Sequence, residues 1–363
     1  MPSVTMQHMP ARCRTNDLHP PLPISREEMA AREWDACDAI IVTGDAYIDH
    51  PAFGAGLIGR LLEALGLRVG IIAAPDLNDP DAFRVLGAPR LFWGITAGNL
   101  DSQLARLTVM RKRRRDDPYL PPELAERRPP NASITYTARA RQIARGVPVI
   151  LGGLEASLRR FPYYDYWSDK IHRSILMDAK ADLLVYGMAE SALTEIVARL
   201  RHGEPLKNIP GTAELRSATP PILPAHKTTA EPLQRLPFKS ADEPACDPRS
   251  IKLPDFDAVA APTDAGRQAF AEMTAIIHRN AAAASPCTLT QLHGTRCLIV
   301  HPPSLPLTQS GMDAVYALPF TRRPHPSYGG ARIPAFEMIR DSITTHRGCY
   351  GGCAFCALAL HQG

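Results

Sequence analysis

The chain of 363 residues lacks several features that would assign it to a class at once. It has no uninterrupted apolar run of the ~18 residues that a membrane-spanning helix needs. Met1–Asn16 carries no apolar core segment, so no secretory leader is expected and the protein is read as cytoplasmic. Neither sign of charge dominates. Lys plus Arg number 41 against 37 Asp plus Glu, and the net charge of +4 is too weak to point to nucleic acid. The Gly-rich stretch Gly152–Ser157 (GGLEAS) has neither GxGxxG nor GxxxxGK spacing, which speaks against a nucleotide phosphate loop. No internal repeat is found.

What is present is an alternation of apolar runs and helix-like segments. Ser25 and Glu28 have capping-box spacing, and a helix is predicted from there to about Trp34. Strands are predicted at Ala39–Gly44, Arg68–Ala73, Leu91–Thr96, Val147–Leu151 and Ala181–Tyr186. Helices are predicted at Phe53–Leu65, Asp79–Leu86, Asp101–Lys112 and Ser191–Leu200. Continuous apolar strands between helices read as a doubly wound parallel α/β sheet over residues 37–203, flavodoxin-like or cobalamin-binding-like, after a lead-in and helix over 1–36. The strand ends that would face a ligand are Asp45–His50, Ala97–Asp101, Gly152–Ser157 and Gly187–Glu190.

Residues 204–335 read as a Pro-rich connector, because 19 of the chain's 35 prolines fall within 204–334 and each removes a backbone donor. Within it, a helix is predicted at Asp264–Ala284 and a short strand at Cys297–Val300; for about 212–250 disorder is the competing expectation. Residues 336–363 begin another unit, with a strand expected at Ser342–Thr345 leading into a cysteine cluster.

Eight cysteines are unevenly placed. Cys13, Cys37, Cys246, Cys287 and Cys297 are isolated and read as buried or inert thiols, whereas Cys349, Cys353 and Cys356 lie together among Gly348, Gly351 and Gly352. A tight cluster in a chain without a leader suggests metal rather than disulfides. Glycines allow the turns needed to wrap three thiolates around one centre. A four-iron cube usually takes four cysteines, so three leave one iron open. The competing reading is a zinc site completed by His346 or His361, although no second cysteine knuckle exists.

The spacing Cys349-x3-Cys353-x2-Cys356, with Phe355 before the last cysteine, resembles the signature of the radical S-adenosylmethionine (SAM) superfamily. The segments Gly44–Gly54, Ile150–Lys170, Ala181–Glu190, His301–Thr308 and Ser342–Cys356 resemble the YgiQ-type members. The resemblance implies a 4Fe–4S cluster on Cys349, Cys353 and Cys356, with SAM on the open iron and Phe355 beside it. Cleavage of SAM would give a radical that abstracts hydrogen from a substrate not named by the sequence. The α/β part also resembles the cobalamin-binding domains fused to other radical SAM enzymes. Their DxHxxG motif, however, is met here only by Asp49-His50-x3-Gly54, which speaks against cobalamin on His50.

Other residues carry two readings each. Asp45, Asp49 and His50 could contact a substrate or cap the next helix; Glu155 and Glu190 could be acids, caps or ion-pair partners. Arg111–Arg115 could bind phosphate or form a solvated loop. Tyr163, Tyr164, Tyr166 and Trp167 with Arg159 and Arg160 could stack a planar substrate or pack internally. Only seven residues follow Cys356. A radical SAM barrel is therefore expected in trans or from further coding sequence, and catalysis by these residues alone is not expected. A non-catalytic α/β binding module is the alternative.

Overall fold

The run Ala39–Thr43 is apolar but for its last residue and buried at every position. It forms β1 of a large mixed sheet in the computed structural model, which describes residues 19–217, 250–281, 287–349, 351, 353 and 356–362. The other strands are β2 (Ile48–Asp49), β3 (Val69–Ala73), β4 (Phe92–Thr96), β5 (Val149–Gly152), β6 (Tyr163–Asp165), β7 (Lys170–His172), β8 (Leu183–Val185), β9 (Thr212–Ser217), β10 (Ser250–Lys252), β11 (Thr288–His293), β12 (Arg296–Val300) and β13 (Arg323–Pro324). The helices are α1 (Arg26–Ala30), α2 (Gly54–Ala64), α3 (Ser102–Arg106), α4 (Ala132–Ile143), α5 (Gly153–Leu158), α6 (Ile175–Ala179), α7 (Glu190–His202), α8 (Phe256–Val259), α9 (Asp264–Arg279), α10 (Gln309–Tyr316), α11 (Pro334–Ile339) and α12 (Ala357–Gln362).

Nine strands form one sheet in the order β10-β11-β12-β9-β8-β5-β4-β1-β3. The five from β3 to β8 are parallel. Alternate residues of β1 enter opposite cores. Ile40 and Val42 pack with Trp93, Leu151 and Tyr136 of α4, whereas Ala39 and Ile41 pack with Leu61 and Leu62 of α2 and Ile196 of α7. With helices on both faces, only the strand ends are left for polar chemistry.

The five parallel strands lie where the apolar runs predict them, to within two residues at either end. The helices agree less well. Asp79–Leu86 forms turns rather than a helix. The helix expected over Asp101–Lys112 stops at Arg106, because Leu107 bridges back to Arg113 around Arg111, whose φ is 59°. Helix α1 ends four residues before Trp34, where Glu33 takes a φ of 57°. Helix α4 was not predicted: its buried face is Ala132, Ser133, Tyr136, Thr137 and Ala140, too polar to register as an apolar stripe.

The largest departure concerns residues 204–335. Instead of an extended connector, this stretch contributes β9 to β12 to the same sheet, antiparallel from β8 to β11. None of these four strands contains proline. Prolines 210, 302 and 303 flank them, and seven more fall within 218–249, outside the described residues. The average over the window therefore hid β9, β10 and β11, whereas β12 lies where a strand was expected. Residues 212–217, where disorder competed, are β9; α9 closes at Arg279 and β12 opens at Arg296. Ser342–Thr345, expected as a strand, pairs with none. No described helix is long and apolar enough to cross a membrane.

Charge is buried at the seam between β9 and β12. His301 Nε2 lies 2.8 Å from Glu214 Oε1, to which Arg216 Nη2 also donates at 2.5 Å. Burial opposes ionisation of Glu214, but the bonds from His301 and Arg216 outweigh it and hold the carboxyl at about 2. A lowered folded-state pKa stabilises above the unfolded value near 4.5, and that stability is lost as pH falls towards 2. The loss should be about 3 kcal/mol. Chemical denaturation measured across this window should show the fall in the native protein and a flatter profile in Glu214→Gln.

Candidate metal centre

Two strand ends at the carboxyl edge of the parallel sheet, those of β1 and β4, are closed by internal ion pairs. Beyond β1, Asp45 pairs with Arg128, whose Nη2 donates to Oδ1 at 2.7 Å; the same guanidinium is held by Asp117 at 2.7 Å and donates to the Ala97 carbonyl. Arg128 is wholly buried and fills the space where the strand order reverses. Asp49 grips Arg60 through both oxygens, at 3.1 and 2.6 Å, and accepts from the Thr321 N–H at 2.9 Å. It thereby ties β13 to β2. Beyond β4, Asp101 pairs with Arg159 at 2.5 Å. His50 is buried, its Nδ1 accepting from the Ala52 N–H at 3.1 Å; burial and the nearby Arg322 bring it down to about 4. Asp45 and Asp49 are thus structural charges rather than groups presented to a ligand.

Glu155 is also internal. It accepts from the N–H groups of Ser102 and Ser133 at the starts of α3 and α4, at 2.8 and 3.2 Å, which is the capping reading. The expected aromatic knot is divided. Arg159 stacks on Tyr163 and Arg111 on Tyr166, with Tyr164 and Tyr166 half exposed, while Arg160 turns inward onto Phe161 and Tyr186. The basic run Arg111–Arg115 is an exposed loop.

The ends of β5 and β8 differ from the others, because another segment of chain is seated on them. Arg347, two residues before Cys349, donates from Nη1 to Glu190 Oε1 at 2.5 Å and from Nε to the Tyr316 hydroxyl at 2.9 Å, and lies over the Tyr316 ring. Burial disfavours its charge, but Glu190 and Tyr316 more than restore it. Helix α12, immediately after Cys356, packs on α5, with His361 Nδ1 2.9 Å from Ser157 Oγ. Burial, then Arg160, depress His361 to about 4, so its ring is neutral near pH 7.

One glycine faces the seated segment: Gly187 has φ 70°, and a Cβ there would lie 3.3 Å from the His361 carbonyl.

The cysteines form the exposed crest of the seated segment. Cys349 and Cys353 are exposed and Cys356 is half-buried. The Cys349 and Cys353 sulfurs flank Gly351, 3.4 and 3.6 Å from where its Cβ would be, and the Cys356 N–H closes a turn on the Cys353 carbonyl at 2.9 Å. Phe355 and Cys246 lie outside the described residues. Among the described residues no three His, Cys, Asp or Glu side chains converge closely enough to hold a metal as they stand. The Nδ1 atoms of His346 and His361 are turned to Thr345 and Ser157. Sequence reasoning missed the contact of Arg347 with Glu190. The signals were the acid at a strand end and the base beside the cluster, but nothing in their separation of 157 residues couples them.

Removing one member of the Arg347–Glu190 pair strands the other in a buried setting, a loss of about 3–5 kcal/mol. Glu190→Ala should increase proteolytic cleavage after Arg340 and Arg347 well before the sheet unfolds. Equal protection of wild type and variant would show that the contact does not seat the segment.

The chain is similar to the UPF0313 protein blr7973 of Bradyrhizobium diazoefficiens, 47% identical over 97% of this chain and 52% of that protein. It is similar to the UPF0313 protein YgiQ of Escherichia coli K12, 44% identical over 95% of this chain and 50% of YgiQ. The chain thus spans about half the length of the curated relatives it matches. Among solved structures, the radical SAM methyltransferase TsrM of Kitasatospora setae overlaps 49% of this chain and 28% of its own at TM-score 0.32 and 17% identity, too slight a likeness to carry an argument. The family model described as "Radical SAM N-terminal" matches residues 21–342. With that match, the chain belongs to the radical SAM N-terminal family, among its YgiQ-type members.

Proposed function

We propose that Cys349, Cys353 and Cys356 hold a 4Fe–4S cluster with one iron open to SAM, and that the α/β unit seats this loop for radical chemistry on a substrate still to be identified. The parallel strands, read as a doubly wound sheet of flavodoxin-like order, would serve as the platform. The observation that carries the reading is the placement of the cysteine loop, anchored by Arg347 before it and by α12 after it on the ends of β5 and β8. The donor set fits such a cluster. It offers three soft thiolates within eight residues, with two sulfurs flanking a glycine whose bare backbone leaves room beside them.

When bound, such a cluster supplies the single electron for reductive cleavage of SAM. The protein's own residues hold the loop. Arg347, paired with Glu190, fixes the approach to Cys349, and the neutral His361 fixes α12 through Ser157 without adding a charge. Phe355, before the last cysteine, belongs to the same cofactor-binding motif. A radical SAM barrel, in a longer polypeptide or in trans, would bring the SAM and substrate contacts and exclude water from the radical. Cobalamin is not proposed: the DxHxxG spacing is not met, and His50 is turned inward.

Anaerobic reconstitution with ferrous iron and sulfide should give roughly four irons per chain and an EPR signal that shifts on adding SAM. Cys353→Ala should lose the iron and Cys246→Ala should retain it. Colourless protein with stoichiometric zinc would overturn the proposal in favour of a zinc site.

A further inference from the structure

Two of the most exposed large apolar side chains among the described residues are chain neighbours, Val109 at 67% and Met110 at 78%. They sit at the tip of a short hairpin that follows α3. Leu107 bridges to Arg113, and the Thr108 N–H donates to the Lys112 carbonyl at 2.8 Å. Val109, Met110 and Arg111 form the loop between them. The Arg111 N–H closes on the Thr108 carbonyl at 2.9 Å, and Arg111 takes the left-handed conformation, φ 59°, that a three-residue hairpin loop needs at its last position. The backbone thus holds the tip in a defined shape while neither apolar side chain joins a core of the fold.

Five cations follow, Arg111, Lys112, Arg113, Arg114 and Arg115, all exposed. Elsewhere exposed arginines are answered by acids, as Arg68 is by Asp35, Arg84 by Asp81 and Arg173 by Asp178. Among the described residues none of the five has an acidic partner; Arg111 and Arg114 donate instead to the carbonyls of Tyr166 and Leu104. Nearby Asp117 is already committed to Arg128. The modest net charge of +4 therefore conceals one strongly positive spot. Such a spot meets a polyanion or an anionic surface, and the apolar tip decides between them. A nucleic acid would leave Val109 and Met110 in water, and one face of the half-exposed Tyr166 ring, on which a base could stack, already carries the Arg111 guanidinium 5.8 Å from its centre. A bilayer buries the two apolar side chains in its headgroup region, brings the cations to its phosphates and suits tyrosines at its interface.

We propose that the hairpin over residues 107–115 docks this chain on the surface of a membrane rich in anionic phospholipid, with Val109 and Met110 entering the headgroup region and the cations of 111–115 bound to lipid phosphates. The chain lies on the bilayer and does not need a spanning helix. Docking draws on the hairpin alone and not on a cluster, so metal-free protein docks as well.

The test is co-sedimentation of the full chain with sucrose-loaded vesicles, either phosphatidylcholine alone or phosphatidylcholine with about 30 mol% phosphatidylglycerol, at roughly 0.1 M NaCl. Partitioning onto the anionic vesicles should exceed that onto the neutral ones by at least about tenfold and should weaken as salt is raised. Val109→Ser with Met110→Ser leaves every charge in place and should lower the partition constant by about tenfold, with binding to heparin, a polyanion without a bilayer, unchanged. Arg113→Gln and Arg115→Gln should each cost roughly fivefold on anionic vesicles. Because all four side chains are exposed, the variants should melt at the wild-type Tm. No preference for anionic vesicles, or equal partitioning of the folded serine variant, would overturn the assignment. So would retention of a single-stranded oligonucleotide by a chain that leaves vesicles unbound, which would make the surface a nucleic-acid site.

Discussion

The covering of both faces of a parallel sheet is the constraint on which this architecture rests. Strands β1, β3, β4, β5 and β8 are apolar because each residue meets one of two cores. Polar chemistry is thereby confined to the carboxyl ends of the strands, where backbone groups are released and helices begin. Asp45, Asp49, Asp101, Glu155 and Glu190 all sit at this edge, and all are buried. Their charges had to be answered from elsewhere in the chain, and the answers divide the edge in two.

On the side of β1 and β4, the answers are internal arginines. Arg128 fastens the loop of Asp117 onto the sheet, and Asp49, gripped by Arg60, accepts from the Thr321 N–H. On the side of β5 and β8, the answer comes from the segment that carries the cysteines: Arg347 meets Glu190, and His361 meets Ser157. Among the described residues, polar contacts from Arg347 and His361 join the loop to the platform, beside Gly187.

Legibility from sequence followed the strength of the local signal. The five parallel strands stood out because each is a short, mostly apolar run, and the cysteine trio because its spacing and glycines are local. Helix α4 did not, because a face of Ser, Thr, Tyr and Ala is buried by its neighbours rather than by its own hydrophobicity. Strand β12 was expected at Cys297–Val300, whereas β9, β10 and β11 were obscured by the surrounding prolines. Ser342–Thr345 has strand-like residues but pairs with no strand among the described residues.

By itself the sequence determined the apolar pattern of an α/β sheet, the three-thiol donor set and the family resemblance, all of which reside in neighbouring residues. Only the tertiary structure decided which acids are paired, that the sheet continues through the proline-rich stretch, and that the cysteine loop rests at the ends of β5 and β8. The reason is physical. A charge's partner lies in space at a few ångströms but in sequence at separations of 83 or 157 residues, as for Arg128 with Asp45 and Arg347 with Glu190, and no local pattern encodes that distance.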